Sequence, residues 1–146
     1  MKTRLTQALK EPYLHNVKYY ETDKMGITHH SNYFRWMEEA RIDFLERIGY
    51  GYDMLEASGV ISPVVSICAK YLAPSTFNDD IIIKVRLKEY SGVKFAFEYE
   101  MINAKDRTLC ATGESHHCFT DQNKKPIRIK KNYPEMDMIF RELLLL

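Results

Sequence analysis

The chain has 146 residues, 45% of them hydrophobic and 28% charged, which fits one globular domain over residues 1–146. Its 21 basic and 20 acidic side chains leave a net charge of +1, without the basic excess of a nucleic-acid binder. Three cysteines with no Cys-x-x-Cys spacing exclude a disulfide framework and point to a reducing cytoplasm, and no apolar run approaches the ~20 residues that span a membrane.

Residues 1–10 mix charged and apolar side chains and lack the apolar core of a signal peptide. Alternation from Tyr13 to Glu21 predicts a first strand. A polar stretch with one glycine follows, Thr22 to Ser31. Tyr33, Met37, Ala40, Phe44 and Ile48 then recur at helical spacing, with Glu38, Glu39, Arg41, Asp43, Glu46 and Arg47 on the polar face. Gly49 and Gly51 end that helix, and Asp53 to Ser58 predicts a short helical turn.

The rest reads mainly as strands. Val60 to Ala73 is apolar on both faces, as a central or interface strand would be, with Pro63 near its start. After a turn over Pro74 to Asp80, Ile81, Ile83, Val85 and Leu87 alternate with polar neighbours. Ser91-Gly92 turns the chain into a second alternating run, Val93 to Met101. Asn103 to Arg107 turns it again into a strand from Thr108 to Thr120. Ile127 and Ile129 predict a short strand, and the basic run Lys124 to Lys131 reads as its solvated edge. Pro134 to Leu146 predicts a closing helix with proline in its first turn. Short connections imply antiparallel pairing. The simplest architecture is α+β, a sheet of about five antiparallel strands wrapped around one long helix.

The informative string runs from Tyr20 through Glu21, Thr22, Asp23, Gly26, His29, His30, Ser31 and Asn32 to Tyr33. Together with the helix Asn32 to Arg41 and the segment Ser62 to Ile67, it resembles the 4-hydroxybenzoyl-CoA thioesterase family over about Tyr13 to Thr120. The resemblance implies the hot-dog fold and hydrolysis of acyl-CoA thioesters. It matches Asp23, Gly26, His30 and Tyr33 to the family's active-site loop. Asp23 would act as nucleophile, through a mixed anhydride, or as general base toward water. The main-chain N–H of His30, at the start of the long helix, would polarise the thioester carbonyl. Gly26 would let the loop bend close to substrate, and Tyr33 would contact the acyl group.

Plainer readings stand beside each of these. An aspartate before a helix often closes an Asx turn, and an aromatic on an apolar helix face is usually core. His29 and His30 would diverge. Glu38 and Glu39 are reserve carboxylates. His116 and Cys118 share one strand face with His117 on the other, too few ligands for a zinc site, so no metal is expected. No cofactor is expected either, CoA being part of the substrate. The resemblance implies a basic cluster for CoA phosphates after the turn at Tyr90 to Lys94. Here that turn supplies only Lys94, with Lys88 nearby. It also implies a homo-oligomer, dimer or tetramer, with sites at the interface. Alternative functions are acyl-carrier-protein thioester hydrolysis, a hydratase or dehydratase, and a non-catalytic acyl-thioester binding protein.

Overall fold

The computed structural model describes residues 2–146. It contains helix α1 (Lys2–Lys10), strand β1 (Tyr13–Asn16), a 3-10 turn (Tyr19–Glu21), the long helix α2 (Ser31–Arg47) and a short α3 (Tyr52–Ala57). Four strands follow: β2 (Val64–Tyr71), β3 (Asp80–Tyr90), β4 (Lys94–Asn103) and β5 (Leu109–Cys118). Helices α4 (Ile129–Asn132) and α5 (Pro134–Leu145) complete the order. The five strands form one sheet in the order β1-β3-β4-β5-β2, and every neighbouring pair is antiparallel.

Period-two alternation decides which face of the sheet is covered. Ile81, Ile83, Val85 and Leu87 of β3 are buried, as are Phe95, Phe97, Tyr99 and Met101 of β4. Lys84, Arg86 and Lys88 face away from the core. Helix α2 lies on the apolar face and buries Tyr33, Trp36, Met37, Ala40 and Phe44 against it. Contact there is close. A Cβ on Gly113 of β5 would sit 2.5 Å from Met37 Sδ and 3.1 Å from the Cys68 carbonyl, so only glycine lets helix and strand approach this far.

The structure corrects several expectations. Residues 2–10 are helical, docking Leu5 and Ala8 into the core, while Met1 lies outside the described residues. The first strand stops at Asn16, because the Val17 N–H bonds the Asp79 carbonyl outside the β1–β3 ladder and the chain then tightens into the 3-10 turn. Ile127 and Ile129 do not form a strand. The Ile129 N–H bonds the Gly92 carbonyl, and the basic run winds into α4. Of the two readings of β2, central or interface strand, its place at the sheet edge removes the central one. Its apolar side chains Val64 and Val65 are exposed, and its outer edge is unpaired among the described residues.

The core also holds a polar cluster. Arg41 is 2% exposed rather than on the helix's polar face. Its Nε donates to Tyr52 Oη at 2.8 Å and its Nη1 to Tyr99 Oη at 3.1 Å. Tyr99 Oη lies 2.6 Å from Ser115 Oγ, which lies 2.7 Å from His117 Nε2. Nδ1 of His117 is buried without a partner. Burial, reinforced by the Arg41 charge, pushes the His117 pKa down to about 3, so the ring is neutral.

Candidate active site

The loop between the 3-10 turn and α2 is tied to itself and to the connection between β2 and β3. Thr22 and Thr28 form an isolated antiparallel bridge across its base. The Asp23 N–H bonds the Ile27 carbonyl at 2.9 Å, and the Gly26 N–H bonds the Asp23 carbonyl at 2.9 Å. Gly26 has φ +77° with nothing within 4 Å of a built Cβ. Glycine is therefore required for backbone conformation there, not for space. From the far side, Thr76 Oγ1 donates to the Gly26 carbonyl at 2.9 Å. The Thr28 N–H donates to the Ser75 carbonyl at 2.8 Å.

Asp23 is half-buried. Its Oδ1 accepts the Met25 N–H at 2.8 Å, so the Asx-turn reading holds for one oxygen. Its Oδ2 has no hydrogen-bond donor among the described residues. Asp23 lines a cavity of about 420 Å³ together with Ile27, Thr28, His30, Tyr33, Tyr71 and Leu72.

The start of α2 closes the other side of this cavity. The Ser31 N–H is taken by His29 Nδ1 at 3.2 Å. The Asn32 N–H goes to the His29 carbonyl at 3.1 Å, and the Tyr33 N–H to the His30 carbonyl at 3.4 Å. The His30 N–H is left without an acceptor among the described residues. It sits at the positive end of a 17-residue helix, where an anion or a developing oxyanion is favoured. Tyr71 Oη donates to the His30 carbonyl at 3.0 Å and so helps fix that peptide. The rings of His29 and His30 lie 4.1 Å apart, tilted by 31°, rather than diverging.

Tyr33 is 3% exposed and its hydroxyl lies 2.9 Å from Ser75 Oγ, which lies 2.7 Å from Thr28 Oγ1. Burial pushes the Tyr33 pKa upward, so its hydroxyl is neutral. Tyr33 is thus both core, through its ring, and cavity wall. Asp23, Gly26, His30 and Tyr33 are brought together. Lys94 is not, since it begins β4 while the cavity adjoins the opposite ends of β2 and β5. Tyr71 pairs with Ala111, which pairs with Met101, and the run of β4 from Lys94 to Met101 spans about 23 Å. Lys94 instead lines a second cavity of about 420 Å³ with Val65, Ser66, Tyr90, Ser91 and His116. Beside that turn, Arg128, Lys130, Lys131 and Arg141 surround Ser91 and Gly92 in a cavity of about 410 Å³.

Sequence reading missed Thr28, Tyr71 and Ser75. No local pattern marks Tyr71 and Ser75, which reach the loop only through the fold, and Thr28 gains its place through its bond to Ser75. Glu38 and Glu39 are exposed and line none of the cavities described above.

A model of the thioesterase-like superfamily matches residues 17–138. The chain belongs to that superfamily. It is a thioester hydrolase with the hot-dog fold, and at family level the activity is hydrolysis of acyl-CoA thioesters. Bacillus subtilis (strain 168) YneP, named provisionally as an acyl-CoA thioesterase, is 34% identical over 82% of this chain and 86% of its own. Escherichia coli O6:H1 YbgC, an acyl-CoA thioester hydrolase, is 25% identical over 80% of this chain and 87% of its own. The DHNA-CoA thioesterase of Staphylococcus aureus superposes with a TM-score of 0.87 at 29% identity, covering 93% of this chain and 91% of that one. Among the described residues, no helix is long and apolar enough to cross a membrane.

Proposed function

We propose that this superfamily member hydrolyses acyl-CoA thioesters in the cavity between the Thr22–His30 loop and residues 71–74, with Asp23 as the reacting carboxylate. One observation carries the reading: an Asp23 carboxylate with a free oxygen and a His30 N–H with no acceptor line the same cavity. A thioester carbonyl lodged between them would accept the His30 N–H. Its carbon would then be open to Asp23 Oδ2. Attack by Asp23 forms a mixed anhydride and expels the CoA thiolate, which takes up a proton. Water then cleaves the anhydride to the free acid and restores the carboxylate. In the general-base alternative, Asp23 removes a proton from the attacking water. The nucleophile is the role favoured here.

The place of CoA follows from the free edge of β2. Two copies pairing these edges antiparallel bury exposed Val64 and Val65 and satisfy the unpaired edge. Such pairing sets the start of one β2 beside the end of the other. The Lys94 end of the partner would then lie next to the Asp23 cavity. Lys94 of the partner subunit, with its Arg128, Lys130, Lys131 and Arg141, would meet the CoA phosphates. A dimer is therefore the minimum functional unit.

Thiol release from a panel of short, long and aromatic acyl-CoAs, and from acyl-carrier-protein thioesters, tests the function. Asp23→Ala is expected to lower kcat about 10²- to 10⁴-fold with unfolding unchanged. Equal rates would remove Asp23 from the mechanism. Single-turnover hydrolysis in oxygen-18 water separates the roles. Label in Asp23 marks carboxylate attack, whereas the base role leaves Asp23 unlabelled.

A further inference from the structure

Glu21 lies two residues before Asp23, is 5% exposed and lines none of the cavities described above. Its surroundings are unusually complete. Trp36 Nε1 donates to Oε2 at 2.7 Å. The Lys18 N–H donates to Oε1 at 2.8 Å, and His15 Nε2 lies 2.8 Å from the same oxygen. The Glu21 carbonyl accepts the His29 N–H at 2.8 Å and Asn32 Nδ2 at 2.9 Å.

These partners come from several pieces of the site's frame. Lys18 opens the 3-10 turn that leads into the loop. His29 closes the loop, and Asn32 and Trp36 lie on the first two turns of α2. One residue therefore clasps both ends of the loop to the helix, the carbonyl holding the exit and the carboxylate holding the helix. Burial alone would push the carboxyl pKa up. The Lys18 N–H, His15 and Trp36 outweigh burial and hold it below the ordinary range, so the group is an anion with three donors around it. His15 adds an outer brace. Its ring lies 4.6 Å from that of Trp36, and its Nδ1 is 3.3 Å from Glu39 Oε2.

We propose that Glu21 is a positioning residue, setting Asp23 at its reacting distance from the His30 N–H by locking the loop's two ends to α2 through Trp36. The proposal rests on Asp23 and His30 being the reacting pair. Glu21 does not touch substrate. Its effect belongs in kcat, because misplacement by about 1 Å costs on the order of 10²-fold in rate, while the walls that bind the acyl group stay in place.

The chain has a single tryptophan, Trp36, so intrinsic fluorescence reports on the clasp directly. The experiment compares wild type, Glu21→Gln, Trp36→Phe, the double variant and Asp23→Ala by thiol release and thermal unfolding, with fluorescence read on the proteins that keep Trp36. Glu21→Gln keeps the shape but turns an amide N–H toward a donor. The expected result is a kcat lowered about 10²-fold, KM within about threefold, cooperative unfolding and a shifted Trp36 emission. Trp36→Phe removes the indole donor and trims a fully buried ring packed on His15 and Tyr33, so its unfolding is measured beside its kcat, which is expected to fall about tenfold. The double variant should be no slower than Glu21→Gln alone, since both break one link. A folded Glu21→Gln with wild-type kcat and a lowered Tm would overturn the proposal, leaving only structural support. If Glu21→Gln does not fold, Trp36→Phe decides, and an unchanged kcat there overturns it. Failure of the underlying reaction reading is separately visible, as full activity in Asp23→Ala.

Discussion

Helix α2 carries two polar constellations, and they differ in what is left over. At its start, Asp23 Oδ2 and the His30 N–H have no partners among the described residues and line a cavity. In its middle, Arg41 is sealed against Tyr52, Tyr99 and Ser115, with His117 beyond. By residue type the two are hard to tell apart, since each mixes His and Tyr with a charged group. Solvent access separates them. A polar group left unpaired at a cavity wall is available to a substrate, whereas one in the core must be satisfied or held neutral. The buried cluster is a structural solution, and the open pair is the one proposed to carry the chemistry.

After Asp23→Ala, the largest effect that would break this contrast is His30→Pro. His30 has φ −56° and ψ −30°, which proline's ring tolerates, so the change chiefly deletes the main-chain N–H. If that N–H meets the thioester oxygen, kcat should fall about 10²- to 10³-fold, the cost of one oxyanion-hole donor. Thermal unfolding and circular dichroism check that α2 survives. An active, folded His30→Pro would leave the open pair without its second member.

The buried cluster answers to pH instead. His117 has a folded-state pKa of about 3 against an ordinary 6.5. In the unfolded chain the ring takes a proton below about pH 6.5, while in the native state it does not until about pH 3. The unfolded state therefore binds more protons in that window. Stability is retained above pH 6.5 and lost as pH falls toward 3. Between pH 7 and pH 4 this one residue is expected to cost about 3 kcal/mol. His117→Phe removes the titration and also the orphaned Nδ1, placing a ring where His117 already stacks on Phe95 at 4.9 Å. Urea unfolding at a series of pH values should give a flatter profile for the variant. Parallel profiles would mean the ring is not held neutral in the core.

Much of this molecule was legible in its sequence where a pattern repeats. Five apolar positions at helical spacing gave α2, and strict alternation gave β3 and β4, because periodicity reports one buried face. The proposed active-site loop was legible only through the resemblance of its longer string, Tyr20 to Tyr33 running into that helix, to the 4-hydroxybenzoyl-CoA thioesterase family. Single contacts between distant segments were not legible. Arg41 is buried by hydroxyls from residues 52 and 99, and Glu21 by Trp36 and His15, with no sequence mark of either pairing. Helix α1 hid for a related reason. It buries only Leu5 and Ala8, too few positions to define a period. Ile127 and Ile129 misled because two apolar residues at i and i+2 fit a strand or an irregular turn equally.

The smallest predicted effect is the one that separates main chain from side chain at position 30. His30→Ala keeps the N–H and removes an imidazole that is exposed and packed beside the His29 ring. The Tyr71 hydroxyl still reaches the residue-30 carbonyl, because that bond does not involve the ring. Alanine is also acceptable at φ −56°, although it does not improve a cap that already lacks a side-chain hydrogen bond. A kcat within about threefold of wild type is therefore expected, far short of the loss assigned to deleting an oxyanion donor. The pH–rate profile should lose no limb, since no imidazole proton is used in the step. A loss in His30→Ala as deep as in His30→Pro would move the chemistry from the peptide to the ring. His30 would then have to be read as an acid or base beside Asp23, and the free N–H as incidental to the helix start.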